Sequence, residues 1–275
     1  IGFIPLLNVF CNGNIKDNVM NGYIFGLVYN LTAFYWIGAN SGASFLTVIS
    51  SLIAAVLYLS LYWSFVGFLF SIISENWSKY AGSFLLPIII VTMEWIRSFG
   101  PLGFPWSNLA LTQSKYIYLI QIMEITGTYG ISFIIVSINV IIYHSIKRDS
   151  FVKNGILPVI IFYLGISLVG RARVESLKNN EKKINVVVVQ PNIDPNKKWH
   201  KKKRIIAFMD SLHQEATKMN PDIVVFPETA LPSYLARDHE TRRMLQKTVD
   251  KSNIPLLTEK IDVALENKKK NYYNS

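Results

Sequence analysis

Ile223-Val224-Val225-Phe226-Pro227-Glu228-Thr229-Ala230-Leu231-Pro232 decides how the rest of the chain is read. A short apolar run rich in β-branched residues stops at a carboxylate held between two prolines. Such a run suits a buried strand, and its end delivers an acid to a pocket. Prolines on either side fix the backbone and remove two amide donors.

Outward from this stretch, the second half alternates strand and helix. Ile184-Asn185-Val186-Val187-Val188-Val189-Gln190 is a second β-branched run, of the kind covered on both faces of a parallel sheet. Residues 201–219 read as a helix, because Ile205, Met209, Leu212 and Ala216 form one apolar stripe. Asn220-Pro221-Asp222 ends it. A second helix is expected over 238–250 and a third strand over 254–258. Alternation of this kind argues for an α/β layer arrangement.

The first half is chemically different. The chain of 275 residues is 51% hydrophobic and 17% charged, with a mean hydropathy of +0.28. Soluble domains carry about 25% charged residues. Residues 1–170 hold 7 Lys/Arg and 5 Asp/Glu, and residues 171–275 hold 21 and 13. Spans are expected at 23–38, 45–73, 84–96, 131–146 and 156–169, with residues 1–10 as the tail of an earlier one. The expected organisation is a transmembrane helical region over 1–170, a charged linker over 171–183 and a partial α/β domain over 184–275. The chain is expected to be cut at both ends, since residues 268–275 read as a hairpin strand just starting.

Lys16, Lys79, Lys147, Arg148 and Lys153 fall in alternate loops, against Lys115 alone in the opposite ones. By the positive-inside rule the first set is cytoplasmic and the α/β domain lies outside the membrane. Lys197-Lys198-Trp199-His200-Lys201-Lys202-Lys203-Arg204 concentrates the net charge of +10. Beside a membrane half, attraction to anionic headgroups explains it more cheaply than nucleic acid, and an ordinary solvated face explains it too. The single cysteine, Cys11, expected in a short loop on the cytoplasmic side, permits no internal disulfide, and no Cys pair or His cluster suggests a metal.

Some polar residues of the membrane half invite a role. Glu94 and Arg97 are three apart on one helix face, and an ion pair near the outer interface is the plainer reading. Gly103-Phe104-Pro105-Trp106 breaks the helical pattern with an aromatic turn. Glu124 lies in the polar stretch 121–128, read as a loop dipping into the outer surface.

A partly desolvated carboxylate at a strand end suits general base work, though such an acid also serves as a helix cap or ion-pair partner. Here a resemblance adds to the residues. Val188-Val189-Gln190-Pro191-Asn192, Lys198-Trp199 and the stretch from Pro221 to Pro232 resemble the carbon–nitrogen hydrolase (nitrilase) superfamily. Glu94-Trp95-Ile96-Arg97, Gly103-Phe104-Pro105-Trp106, Gly22-Tyr23-Ile24-Phe25-Gly26 and Phe34-Tyr35-Trp36 narrow it to a resemblance to apolipoprotein N-acyltransferases. That resemblance implies an αββα sandwich facing the periplasm of the bacterial inner membrane and a Glu–Lys–Cys catalytic set. It implies transfer of an acyl chain from a phospholipid to the amine of a diacylglyceryl-cysteine on an apolipoprotein, without cofactor, metal or nucleic acid. Glu228 takes the position of the general base, while Trp199 and Asn274 match an aromatic and a polar residue near the substrate. The Lys and Cys of the set are expected beyond Ser275, so these 275 residues alone are expected to be inactive. Glu259 stands where relatives often place a glycine. Two other classes share some of these features: a tethered amidase acting on small amides, and a transporter with an external binding domain.

Overall fold

The computed structural model describes residues 2–147, 154–178, 183–194 and 198–259, together with the backbone of 261–266 and 269–274. It divides into two compact units, Ile1–Glu181 and Lys182–Ser275.

The first unit is helical: α1 (Ile4–Asn12), α2 (Ile15–Phe34), α3 (Phe45–Asn76), α4 (Lys79–Ile96), α5 (Ile117–Ile120), α6 (Met123–Ile146) and α7 (Ile156–Lys178). Asn14, Ser44 and Ser78 cap α2, α3 and α4 by accepting backbone N–H bonds from Asp17, Thr47 and Ala81. Among the described residues four helices, α3, α4, α6 and α7, are long and apolar enough to cross a membrane. The fifth expected span, now part of α2, falls short because Lys16, Asp17, Asn18, Asn21 and Asn30 dilute it. At 1.5 Å per residue, the 32 residues of α3 reach about 48 Å, well beyond a hydrocarbon core of about 30 Å.

On α2 the buried residues Asn18, Gly22, Gly26, Asn30 and Phe34 recur every four positions. This face of small and polar groups lets α3 approach closely: a Cβ on Gly22 would run into the Trp63 carbonyl oxygen, and one on Gly67 of α3 into the Asn18 carbonyl oxygen. The Asn18 side-chain amide donates to the Phe10 carbonyl and to Ser71 Oγ, both at 2.9 Å. Around this seam Phe3, Leu7, Phe10, Trp63, Phe70 and Val136 form the main apolar core.

Three expectations change here. Cys11 belongs to α1 and is buried, its Sγ 3.5 Å from Ser83 Oγ, rather than lying in a loop. Glu124 is in the first turn of α6, which breaks only at Gly127 (φ 64°), and its carboxylate takes two bonds from Arg173, at 2.7 and 2.9 Å. The stretch expected to be a charged linker continues α7 as far as Lys178, because its Arg, Ala, Glu and Leu are strong helix formers and Arg171 pairs with Glu175 at 2.9 Å. Arg148 and Lys153 lie outside the described residues.

In the second unit β1 (Val186–Val188), β2 (Ile223–Val225) and β3 (Leu256–Leu257) make a parallel sheet in sequence order. Helix α8 (Lys202–Thr217) links β1 to β2 and α9 (His239–Ser252) links β2 to β3. The apolar stripe of α8, Ile205, Met209 and Ala216, packs with Val224, Phe226 and Leu245 in one core. Val186, Val188 and Leu257 share the opposite sheet face and are exposed. The first strand is thus covered on one face, not two. The strands β4 (Ile261–Glu266) and β5 (Lys269–Asn274) form a separate antiparallel pair, with Asn274 opposite Ile261.

His213 of α8 is 1% exposed, and neither ring nitrogen has a hydrogen-bond partner among the described residues. It meets Phe226 edge-on at 6.2 Å. Burial lowers its pKa below the ordinary histidine value, against a weaker pull upward from Asp210. A base held neutral in the fold takes up its proton more readily when unfolded. Stability is therefore full above about pH 6.5 and falls as pH drops below it. His213→Leu is expected to raise the unfolding midpoint and to flatten this acid-side slope in denaturation curves between about pH 7 and 5. An unchanged slope would place the titrating group elsewhere.

Candidate active site

Because β1, β2 and β3 are parallel, their carboxyl ends lie along one edge, the edge at which open α/β sheets bind ligands. Three segments leave that edge carrying charge. Lys198 follows β1, Glu228 follows β2 and Glu259 follows β3. They converge on Thr229, whose hydroxyl oxygen accepts from Lys198 Nζ at 3.0 Å. Its backbone N–H donates to Glu259 Oε2 at 2.6 Å.

Strand β2 ends at Val225, and the turn closed by Ala230 N–H to the Pro227 carbonyl carries Glu228 out of the sheet. Glu228 is exposed, not partly desolvated as its apolar neighbours suggested. Phe226 and Ala230 anchor the turn in the core and leave the acid on its outer side. Burial pushes the Lys198 ammonium below the ordinary lysine range, while the Glu259 and Glu228 carboxylates pull it back up. The edge therefore presents two carboxylates facing one cation.

Trp199, half exposed, stands next to Lys198, and its ring lies 5.8 Å from that of Tyr234 in the loop that follows Glu228. The backbone of Asn274 is in β5, and its side chain lies outside the described residues. The basic cluster around Trp199 is not one solvated face. Lys202 pairs with Asp238 at 2.6 Å and Lys198 holds Thr229, whereas Lys201, Lys203 and Arg204 are exposed; Lys197 lies outside the described residues. Among the described residues no group of three His, Cys, Asp or Glu is placed to hold a metal.

Within the helical unit, Glu94 and Arg97 are both buried and attract each other, and each also bonds to the following loop. Glu94 Oε1 accepts from Leu109 N–H at 2.7 Å, and Arg97 Nη2 donates to Asn108 Oδ1 at 3.0 Å. They pin the loop that holds the aromatic turn, where Trp106 stacks on Trp36 at 5.9 Å. Apolar grooves of about 400 and 520 Å³ run between α6 and α7, lined by residues such as Ile134, Ile138, Val159 and Phe162.

The description "Apolipoprotein N-acyltransferase N-terminal domain" belongs to a family model that matches residues 1–141 of this chain. The chain belongs to the apolipoprotein N-acyltransferase family. An apolipoprotein N-acyltransferase of Geobacter metallireducens is 30% identical over 248 residues, covering 85% of this chain and 47% of the relative. Those of Chlorobaculum tepidum and Rickettsia prowazekii are each 27% identical. The first covers 63% of this chain and 34% of the relative, the second 84% and 49%. The chain thus spans about half the length, or less, of these curated apolipoprotein N-acyltransferases.

Sequence reasoning named Lys198 only as part of a motif and Glu259 only as a departure. The signal for both was available, since Lys198 lies in the segment that leaves β1 and Glu259 two residues past β3, and both strands run parallel to β2, whose exit carries Glu228.

Proposed function

We propose that this chain supplies the membrane region and part of the catalytic domain of an enzyme that transfers an acyl chain from a phospholipid to apolipoproteins. The acceptor is the α-amine of the N-terminal diacylglyceryl-cysteine, and the reaction is the last step of bacterial lipoprotein maturation. The second unit faces the periplasm. The observation that carries this reading is Glu228, exposed at the carboxyl edge of the parallel sheet with Lys198 and Glu259 beside it. Four apolar helices, apolar grooves between α6 and α7, and similarity to apolipoprotein N-acyltransferases support the lipid substrate. The open sheet face at Val186, Val188 and Leu257 suits the second layer of an αββα sandwich.

In this mechanism Glu228 accepts the proton of a cysteine thiol. The thiolate attacks the ester carbonyl, and a lysine steadies the oxyanion. The carbon–oxygen bond breaks, the proton passes from Glu228 to the departing lysophospholipid, and a thioester remains. The acceptor amine then loses a proton to Glu228 as it attacks the thioester. An amide forms and the thiol is restored. The ester already carries the activation, so the chemistry calls for no nucleotide. Trp199 and Asn274 line the substrate side.

These 275 residues contain one sulfhydryl, that of buried Cys11 in α1. With a fluorescent-acyl phospholipid, a polypeptide extended through the nucleophile is expected to accumulate a hydroxylamine-labile adduct. It should then pass the label to a diacylglyceryl-cysteine peptide. The 275-residue chain is expected to form none. A labile adduct on that chain would overturn the assignment of the nucleophile, and an extended chain that never labels would overturn the acyltransferase reading.

A further inference from the structure

Thr229 has φ 50°, in the left-handed region that side chains seldom enter. The other non-glycine residues with positive φ among those described, Asn192, Asn220 and Asn253, are asparagines, which tolerate it. Threonine is β-branched and tolerates it poorly, so something outside the turn has to hold it. Two side chains do so from opposite ends. Glu259 takes the Thr229 backbone N–H at 2.6 Å, and Lys198 donates to its hydroxyl at 3.0 Å. Each comes from a different strand end, and Thr229 adjoins Glu228 directly. A Gly at 259 has no acceptor to reach that N–H.

We propose that Glu259 is a positioning residue, which with Lys198 clamps Thr229 in its left-handed conformation and so fixes the direction in which the Glu228 carboxylate points. The catalytic part of this inference rests on Glu228 being the base. The clamp itself rests only on the geometry. Lys198 has a second effect, because its ammonium is attracted by both the Glu259 and the Glu228 carboxylates. The bond needed from position 259 is an acceptor oxygen rather than a charge, and a glutamine carbonyl provides one.

Two measurements test this on Glu259→Ala, Glu259→Gln and the double variant Glu259→Ala/Thr229→Gly. Amide hydrogen exchange of the 226–231 segment is read on the 275-residue chain in detergent, with α9 as the internal control. Glu259→Ala is expected to exchange this segment at least about tenfold faster with α9 unchanged, and Glu259→Gln to stay near the parent. In a polypeptide that includes the nucleophile, Glu259→Ala is expected to slow thioester formation by about 10- to 100-fold at unchanged apparent KM for phospholipid. Glutamine restores the rate, and so does glycine at 229, which adopts positive φ without help. Parent-like exchange in Glu259→Ala, or a Glu259→Gln as impaired as Glu259→Ala, would overturn the clamp. If Glu228→Gln acylates normally, the base assignment fails instead, and the exchange data still decide the clamp.

Discussion

A Glu228→Gln polypeptide that includes the nucleophile is expected to fold, to bind phospholipid with parent-like apparent KM, and to form its thioester about 10²- to 10⁴-fold more slowly. Glutamine matches the side chain in shape, and Glu228 is exposed on a turn that Phe226 and Ala230 anchor in the core, so the substitution leaves those anchors in place. What it removes is the proton acceptor. An ordinary thiol, with a pKa of about 8.5, is only a few per cent thiolate at neutral pH. Without a base, the reaction waits on that fraction. The residual rate of the variant should therefore climb about tenfold per pH unit from 6 to 8, while the parent profile is flatter. The change is confined to kcat because the carboxylate matters to the reacting atoms and not to the lipid tails. Turnover within about tenfold of the parent, with the same pH profile, would make Glu228 structural.

The same residue shows how far the sequence reaches. The run from Ile223 to Phe226 is legible as a strand because β-branched side chains suit a pleated surface, and the acid after it falls at the sheet edge for the same reason. Its exposure was not legible. Burial depends on which way a four-residue turn leaves the strand, and here that follows from the conformation of Thr229, which is held from Lys198 and Glu259, each about 30 residues away. The stripe Ile205, Met209 and Ala216 could be read because helical period and burial coincide on an amphipathic helix. By contrast, α7 runs past its apolar segment to Lys178. Polarity marks where a helix leaves the apolar phase, not where its hydrogen bonds stop. Glu94 and Arg97 are legible as a pair from their spacing, but their hydrogen bonds to Leu109 and Asn108 are not, because those residues follow a break in the helical pattern. Local pattern finds elements; the contacts that orient a site are long-range and polar.

Asp238→Ala is expected to destabilise the second unit by about 3 kcal/mol, from a lost N-cap together with a stranded buried hydroxyl. Asp238 caps α9 by accepting from Thr241 N–H at 3.1 Å. Its carboxylate also takes the Thr241 hydroxyl and the Ser233 hydroxyl, both at 2.7 Å, and Lys202 Nζ at 2.6 Å. Ser233 and Thr241 are 1% and 5% exposed, so water does not replace what they lose. The bond from Lys202, followed by those from Ser233 and Thr241, holds the carboxyl well below the usual carboxylate range. An acid whose folded pKa is depressed stabilises the fold fully above its unfolded value of about 4 and loses that contribution as pH falls below it. The gap between parent and variant, followed by hydrogen exchange of α9 or by proteolysis of the second unit, should be constant from pH 8 to 5 and shrink below about 4. Asp238→Asn keeps an acceptor for the cap and for one hydroxyl but loses the attraction to Lys202, so it should fall between the two. The site also registers the loss: Ser233 adjoins Tyr234, against which Trp199 packs, and Lys202 opens the helix that follows Trp199. A variant that loosens α9 while leaving the Trp199–Tyr234 contact and acylation intact would confine Asp238 to capping and would separate the stability of this unit from the order of its catalytic edge.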